Sequence, residues 1–247
     1  MQDVIFLDTT VSTNLDAKKL AAEGKPHGTA VAACRQTGGR GRMGRSFLSP
    51  EGGLYLSVIL RPEAKAAELL HLTPVLAVAA CDAVEEVCGV RPGVKWINDL
   101  VLNQKKLAGI LTELSLRPDG TVDYAVCGIG INCNAPLTAF SPDVRELATG
   151  ILAETGKETD LSVLAEAVRR HWIRACDTVL TKKEEYMARY RKDCVTIGRQ
   201  VRVLGQEEYE AVAVDVDDDG GLVVETGGEM KKVQSGEVSV RGLWGYV

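Results

Sequence analysis

No CxxC pair occurs among the seven cysteines of this 247-residue chain, and its three histidines, His27, His71 and His171, lie far apart. Neither a zinc site nor a disulfide framework follows from that spacing, so the thiols read as reduced and buried. A Walker-type GxxxxGK[ST] segment is absent, and no glycine-rich stretch has the third glycine and following helix of a dinucleotide fingerprint. No run of 18 apolar residues is found, which excludes a simple membrane span. The opening MQDVIFLDTT sets an acidic group before a four-residue apolar run, whereas a signal peptide needs a basic start and a longer apolar region. The expectation is a soluble, cytoplasmic protein. Excess positive charge is lacking as well: a net charge of −5 argues against a broad basic face for nucleic acid.

What is present is ordinary globular material, 45% apolar and 26% charged. Apolar periodicity predicts strands over residues 4–7, 29–34 and 54–60, with a helix over 15–23 capped by Ser12 or Thr13 and stopped at Gly24. A helical pattern covers 66–88, where Pro74 must start, kink or split the helix. Strands follow over 93–96, 100–103, 107–116 and 124–131, the last two joined by the hairpin signal Arg117-Pro118-Asp119-Gly120. Helices resume over 144–154 and 161–190. Beyond Cys194 short alternating runs separated by turn clusters read as a small barrel or sandwich of about five strands. The expected fold class is α+β, a mixed-sheet domain over 1–193 followed by an all-β module over 194–247.

Four segments carry chemistry. In Gly38-Gly39-Arg40-Gly41-Arg42-Met43-Gly44-Arg45, glycines let backbone N–H groups turn toward a ligand, and three guanidiniums within six residues concentrate positive charge. Anion binding and a merely solvated basic loop both fit. In Val94-Lys95-Trp96-Ile97-Asn98-Asp99-Leu100, a lysine inside an apolar strand needs an anionic partner, either a protein carboxylate or a ligand phosphate. Asn98 and Asp99 at the strand end suit a metal or a nucleotide hydroxyl, or a structural turn. Lys105-Lys106-Leu107-Ala108-Gly109-Ile110 sends one lysine into a strand whose small residues admit a ligand to the backbone. Gly128-Ile129-Gly130-Ile131-Asn132-Cys133-Asn134 ends a strand in glycines and amides. No Ser-His-Asp arrangement accompanies them. The pattern suits catalysis by positioning and charge neutralisation, without a protein nucleophile.

These segments, in this order, resemble the catalytic and C-terminal domains of bacterial biotin–protein ligases. The resemblance is carried by Ser12-Thr13-Asn14, Gly39-Arg40-Gly41-Arg42-x-Gly44-Arg45, Lys95-Trp96-x-Asn98-Asp99, Lys106-Leu107-Ala108-Gly109-Ile110-Leu111, Gly128-x-Gly130-Ile131-Asn132 and Gly236-Glu237-Val238-Ser239-Val240-Arg241. It spans essentially the whole chain and implies a C-terminal SH3-like barrel. It implies two steps: biotin's carboxylate attacks the α-phosphate of MgATP, and a lysine of a biotin carboxyl carrier domain then attacks the adenylate. It implies that Ser12, Thr13, Asn14, Gln36, Gly39, Arg40, Gly41 and Lys106 hold biotin. Arg40, Arg42, Arg45, Lys95, Asn98, Asp99 and Asn132 would serve the nucleotide, with Lys106 and Arg42 as the catalytic pair and magnesium arriving with ATP on ligands left open.

Three departures stand out. Ile97 replaces a common proline, with the expectation of a looser approach to Asn98. Phe47 replaces a tryptophan, keeping an aromatic face without its N–H. Only eleven residues precede Ser12, so a ligase without DNA-binding function is expected, and a homodimer is compatible with the resemblance. A lipoate ligase or octanoyl transferase of the same superfamily is the rival enzyme, and an inactive biotin sensor the rival of another class.

Overall fold

The computed structural model describes residues 4–205, 207–234 and the backbone of 239–242. The elements are β1 Val4–Thr10, α1 Thr13–Ala22, β2 Ala30–Gln36, β3 Leu54–Leu60, α2 Leu72–Cys88, β4 Gly93–Lys95, β5 Asp99–Leu102, β6 Lys105–Leu116 and β7 Val122–Ile131. They continue with α3 Pro142–Leu147, α4 Ile151–Thr155, α5 Leu161–Asp177, α6 Lys183–Asp193, β8 Gln200–Leu204, β9 Tyr209–Val216, β10 Leu222–Thr226, β11 Glu229–Val233 and β12 Ser239–Gly242. A seven-stranded sheet runs in the order β1-β2-β3-β7-β6-β5-β4. It is mixed, because β1 lies parallel to β2 while the other pairs are antiparallel. A five-stranded antiparallel sheet of the SH3-like kind follows, in the order β11-β10-β9-β8-β12. The α+β expectation holds. Of the closing segment, Ser239 to Arg241 fall on β12, and residues 236–238 lie outside the described ones.

Period-two alternation separates the two faces of the large sheet. Leu54, Leu56, Val58 and Leu60 of β3, with Cys127, Ile129 and Ile131 of β7 and Ala108 and Ile110 of β6, join α2 and α5 in the main core. The opposite parity points the other way. Ile59 and Val126 meet Ala17 and Ala21 of α1 in a smaller cluster, and the remaining positions of that face floor a cavity.

The segment Ala66–Cys88 has the length and composition to cross a membrane, but most of it is buried in the fold. It is a core helix preceded by a 3-10 turn over Ala66–Leu69. Pro74 sits in the first turn of α2, where its missing N–H is harmless. Two predicted helices are broken instead. The 144–154 pattern divides into α3 and α4 because Ala148 pairs with Lys106 as an isolated parallel bridge and the Thr149 N–H donates to the Lys106 carbonyl at 2.8 Å. The 161–190 pattern divides after Asp177, and the buried Val179 carbonyl that follows meets His71 Nε2 at 3.0 Å. Ser12 occupies the N-cap position of α1 but makes no side-chain cap, and the helix begins at Thr13. Its hydroxyl is left to the cavity.

Candidate functional site

The cavity encloses about 640 Å³ between the sheet, the start of α1 and the arginine loop. Strand register builds its floor. Ser57 and Leu111 both pair with Gly128, while Tyr55 and Gly109 both pair with Gly130, and Asp99 pairs with Gly109 in turn. Glycine at 128 and 130 is required by neighbouring side chains. A Cβ on Gly128 would overlap Asn14 Oδ1 and lie 2.9 Å from its Cγ, and one on Gly130 would lie 2.5 Å from Phe47 Cε1. At these two positions the close approach to backbone is made by Asn14 and Phe47.

At one end the polar groups of α1 and β2 form a connected set. The Thr13 N–H donates to Gln36 Oε1 at 2.9 Å, the Thr13 hydroxyl donates to the same oxygen at 3.2 Å, and Gln36 Nε2 donates to Ser49 Oγ at 3.0 Å. Ser57 Oγ donates to Asn14 Oδ1 at 2.6 Å and lies 2.8 Å from Thr13 Oγ1. Ser12, Thr13 and Asn14 are all buried. Such a network is rigid before any ligand arrives.

At the other end the cations converge. Arg42 Nη1 donates to Asn98 Oδ1 at 3.1 Å, across 56 residues of chain. Lys106 Nζ pairs with Asp99 Oδ1 at 2.9 Å and stands 5.5 Å from the centroid of the Phe47 ring. Arg42 and Lys106 are thereby brought to successive residues of one turn. Burial lowers the Arg42 guanidinium from its usual value, and the charge of Asp99 opposes that shift. An anionic ligand must compete with Asp99 for Lys106.

The turn itself is held firmly despite Ile97. The Trp96 N–H donates to Thr196 Oγ1 at 2.9 Å, Trp96 Nε1 donates to the Gly220 carbonyl at 2.9 Å, and Tyr190 OH donates to the Ile97 carbonyl at 3.2 Å. Asn98 Nδ2 donates to the Ile110 carbonyl at 2.8 Å. Ile97 is buried at 4% exposure, so the approach to Asn98 is anchored by the C-terminal module rather than loosened. Phe47 keeps its aromatic role, edge-on to Tyr55 with centroids 6.5 Å apart.

Of the residues expected from sequence, Ser12, Thr13, Asn14, Gln36, Arg40, Gly41, Arg42, Arg45, Lys95, Asn98, Asp99 and Lys106 line this one cavity. Two do not. Gly39 lies behind the loop, where a Cβ would sit 2.5 Å from both the Phe47 carbonyl and Ser49 Oγ; its absent side chain serves the fold of the loop. Asn132 is buried, and its Nδ2 donates to the Thr149 carbonyl at 2.9 Å, tying β7 to the segment before α4.

Sequence reasoning missed Ser57 and Glu113. The signal for Ser57 is one serine among the aliphatic and aromatic residues of Leu54–Leu60, all of them buried. Glu113 accepts from Asn14 Nδ2 at 2.8 Å and from Lys18 Nζ at 2.6 Å. Burial pushes its carboxyl upward, but the bonds from Lys18 and Asn14, with the charges of Lys18 and Arg40, outweigh this and hold it below the usual range.

Residues 5–132 match the model of the biotin/lipoate A/B protein ligase family, and residues 196–241 match that of the biotin protein ligase C terminal domain. The biotin--[acetyl-CoA-carboxylase] ligase of Paracoccus denitrificans is 33% identical over 252 residues, covering 96% of this chain and all of that protein. The bifunctional ligase/repressor BirA of Bacillus subtilis is 32% identical, covering 97% of this chain and 74% of its own length. Among solved structures, the biotin protein ligase of Aquifex aeolicus in complex with biotin and ATP superposes with a TM-score of 0.84. It is 31% identical, with 98% of this chain and 100% of that one covered.

Proposed function

The chain belongs to the biotin/lipoate A/B protein ligase family, and from that premise we propose that its cavity activates biotin with ATP and delivers it to one lysine of a biotin carboxyl carrier domain. The observation that carries this reading is the meeting of Arg42 and Lys106 on Asn98 and Asp99, beside a preformed cradle of hydroxyls and amides. A ureido ring offers two N–H donors and one acceptor, and Ser12, Thr13, Asn14 and Gln36 supply matching partners in a buried setting. Such a site discriminates strongly against acids with an apolar head.

In the first step a biotin carboxylate oxygen forms a bond to the α-phosphorus while the bond to the pyrophosphate oxygen breaks. Lys106 leaves Asp99 to neutralise the two sets of oxygens that approach each other. Arg42, with Arg40 and Gly41 of the same loop, closes over the phosphate and excludes water from the mixed anhydride. Arg45, Lys95 and Asn98 line the nucleotide side. Asp99, a single carboxylate facing the cavity beside an amide, suits a magnesium ion that arrives on the nucleotide phosphates and offsets their charge. In the second step the carrier's lysine amine attacks the biotinyl carbonyl, and AMP leaves with the electron pair of the broken C–O bond. We place the reaction in the cytoplasm, with residues 194–247 as a separate module that braces the Trp96 turn. A net charge of −5 supports leaving DNA outside this reading.

Mass spectrometry of a carrier domain incubated with the protein, ATP and biotin, lipoate or octanoate tests the assignment. A mass gain with biotin alone is expected, and transfer of lipoate or octanoate instead would overturn it. Lys106→Ala should reduce pyrophosphate release far more than biotin binding. Equal losses in both would demote Lys106 to a binding residue.

A further inference from the structure

One carboxylate in contact with this site has no part in the chemistry just described. Glu113 lies on β6 at the parity of Gly109 and Leu111, the face that floors the cavity. Its Oε2 takes the amide nitrogen of Asn14 at 2.8 Å, and its Oε1 takes Lys18 Nζ at 2.6 Å. From the other side Ser57 Oγ, fully buried on β3, donates to Asn14 Oδ1 at 2.6 Å. The Asn14 carboxamide thus lies across β7, over Gly128, gripped at both ends.

The chemistry of the two grips is unequal. An ionised carboxylate only accepts, so it dictates that nitrogen faces β6 and oxygen faces β3. A hydroxyl tolerates either arrangement. Ser57 alone would leave the amide free to turn over, exchanging a donor for an acceptor at the wall of the cradle. A ureido head cannot tolerate that exchange, because each of its polar groups needs a partner of fixed sense.

We propose that Glu113 is a positioning residue for biotin recognition, setting the sense of the Asn14 carboxamide with Ser57 as its counterpart. The inference rests on the reading that the Ser12–Asn14 segment receives the biotin head. Lys18 has a different part: it neutralises the second carboxylate oxygen, and the Asn14 bond does not depend on it.

The experiment compares Glu113→Ala, Glu113→Gln and Lys18→Ala in the full chain, measuring biotin Kd by calorimetry, ATP KM, and Tm. Glu113→Ala should weaken biotin on the order of tenfold, the size of one charge-assisted hydrogen bond, with ATP KM within about twofold of wild type. Glu113→Gln keeps the volume but can offer Asn14 either an oxygen or an NH2, and Lys18 competes for its one oxygen. The sense of the amide is then no longer dictated, and biotin affinity should fall about as far as in Glu113→Ala. Lys18→Ala should stay near wild type in biotin affinity, although it removes the same ion pair. A Lys18→Ala loss equal to that of Glu113→Ala, wild-type biotin affinity in Glu113→Gln, or ATP KM rising in step with biotin Kd would each overturn the proposal and leave Glu113 a structural ion-pair partner. Wild-type protein that fails to bind biotin at all would overturn the functional reading itself, a separate outcome.

Discussion

Gly128→Ala is the sharpest probe of how the cavity floor is built. The added methyl would lie 2.0 Å from Asn14 Oδ1, 2.9 Å from its Cγ and 3.2 Å from its Nδ2. Gly128 lies inside β7, paired on both sides, so its backbone has little room to retreat. The side chain that gives way is Asn14. Its displacement breaks the bond to the Glu113 carboxylate, worth about 1.5–3 kcal/mol, and the neutral bond from Ser57, worth about 0.5–1.5 kcal/mol. Alanine in place of glycine in a strand returns about 0.5–1 kcal/mol. The expected net loss is about 1–4 kcal/mol in urea unfolding, accompanied by weaker biotin binding in calorimetry. The double variant Asn14→Ala/Gly128→Ala supplies the decisive comparison. With the Asn14 amide removed there is nothing for the methyl to strike, so the double variant should be about as stable as Asn14→Ala alone, a coupling of more than about 1 kcal/mol. Simple additivity of the two substitutions would refute the steric argument, as would a Gly128→Ala protein that unfolds and binds biotin like wild type.

Trp96→Phe removes the N–H that satisfies the buried Gly220 carbonyl, with an expected cost of about 1–3 kcal/mol in urea unfolding. Because Asn98 and Asp99 follow directly on this turn, ATP KM should rise more than biotin KM; a stability loss with both constants unchanged would make the clamp purely structural. Acid sensitivity should begin at the histidines. Burial is the leading cause that lowers both His27 and His71 from their usual 6.5. His27 Nδ1 accepts from the Arg61 N–H at 2.9 Å and so cannot also carry a proton there. The unfolded chain takes up these protons first, so Tm should be flat above pH 7 and fall as pH drops below about 6.5. A Tm that rises on acidification from pH 7 to 6 would contradict this.

Much of the chain was legible because its signals are local. β3 falls on the expected residues, Gly24 stops α1, and Gly120 turns the β6–β7 hairpin with a φ of 82°. The glycine and arginine density of residues 38–45 marks a basic loop that suits an anion or plain solvent, and the order of the motifs carried the family resemblance. Pairing across the sheet was not legible. Arg42 and Asn98, Lys106 and Asp99, Asn14 and Glu113 meet only because register sets β3, β7, β6 and β5 side by side. A glycine reads alike in sequence whether it yields space to a ligand or to another side chain, and at Gly128 and Gly130 the neighbour is a side chain. Nothing local to β3 tells what the Ser57 hydroxyl bonds, because its partners Thr13 and Asn14 lie on α1. Backbone preference and apolar period act within a few residues, so composition and order settled the elements and the class of chemistry. Which side chains share a ligand depends on contacts between residues tens of positions apart, and those exist only once the sheet has closed.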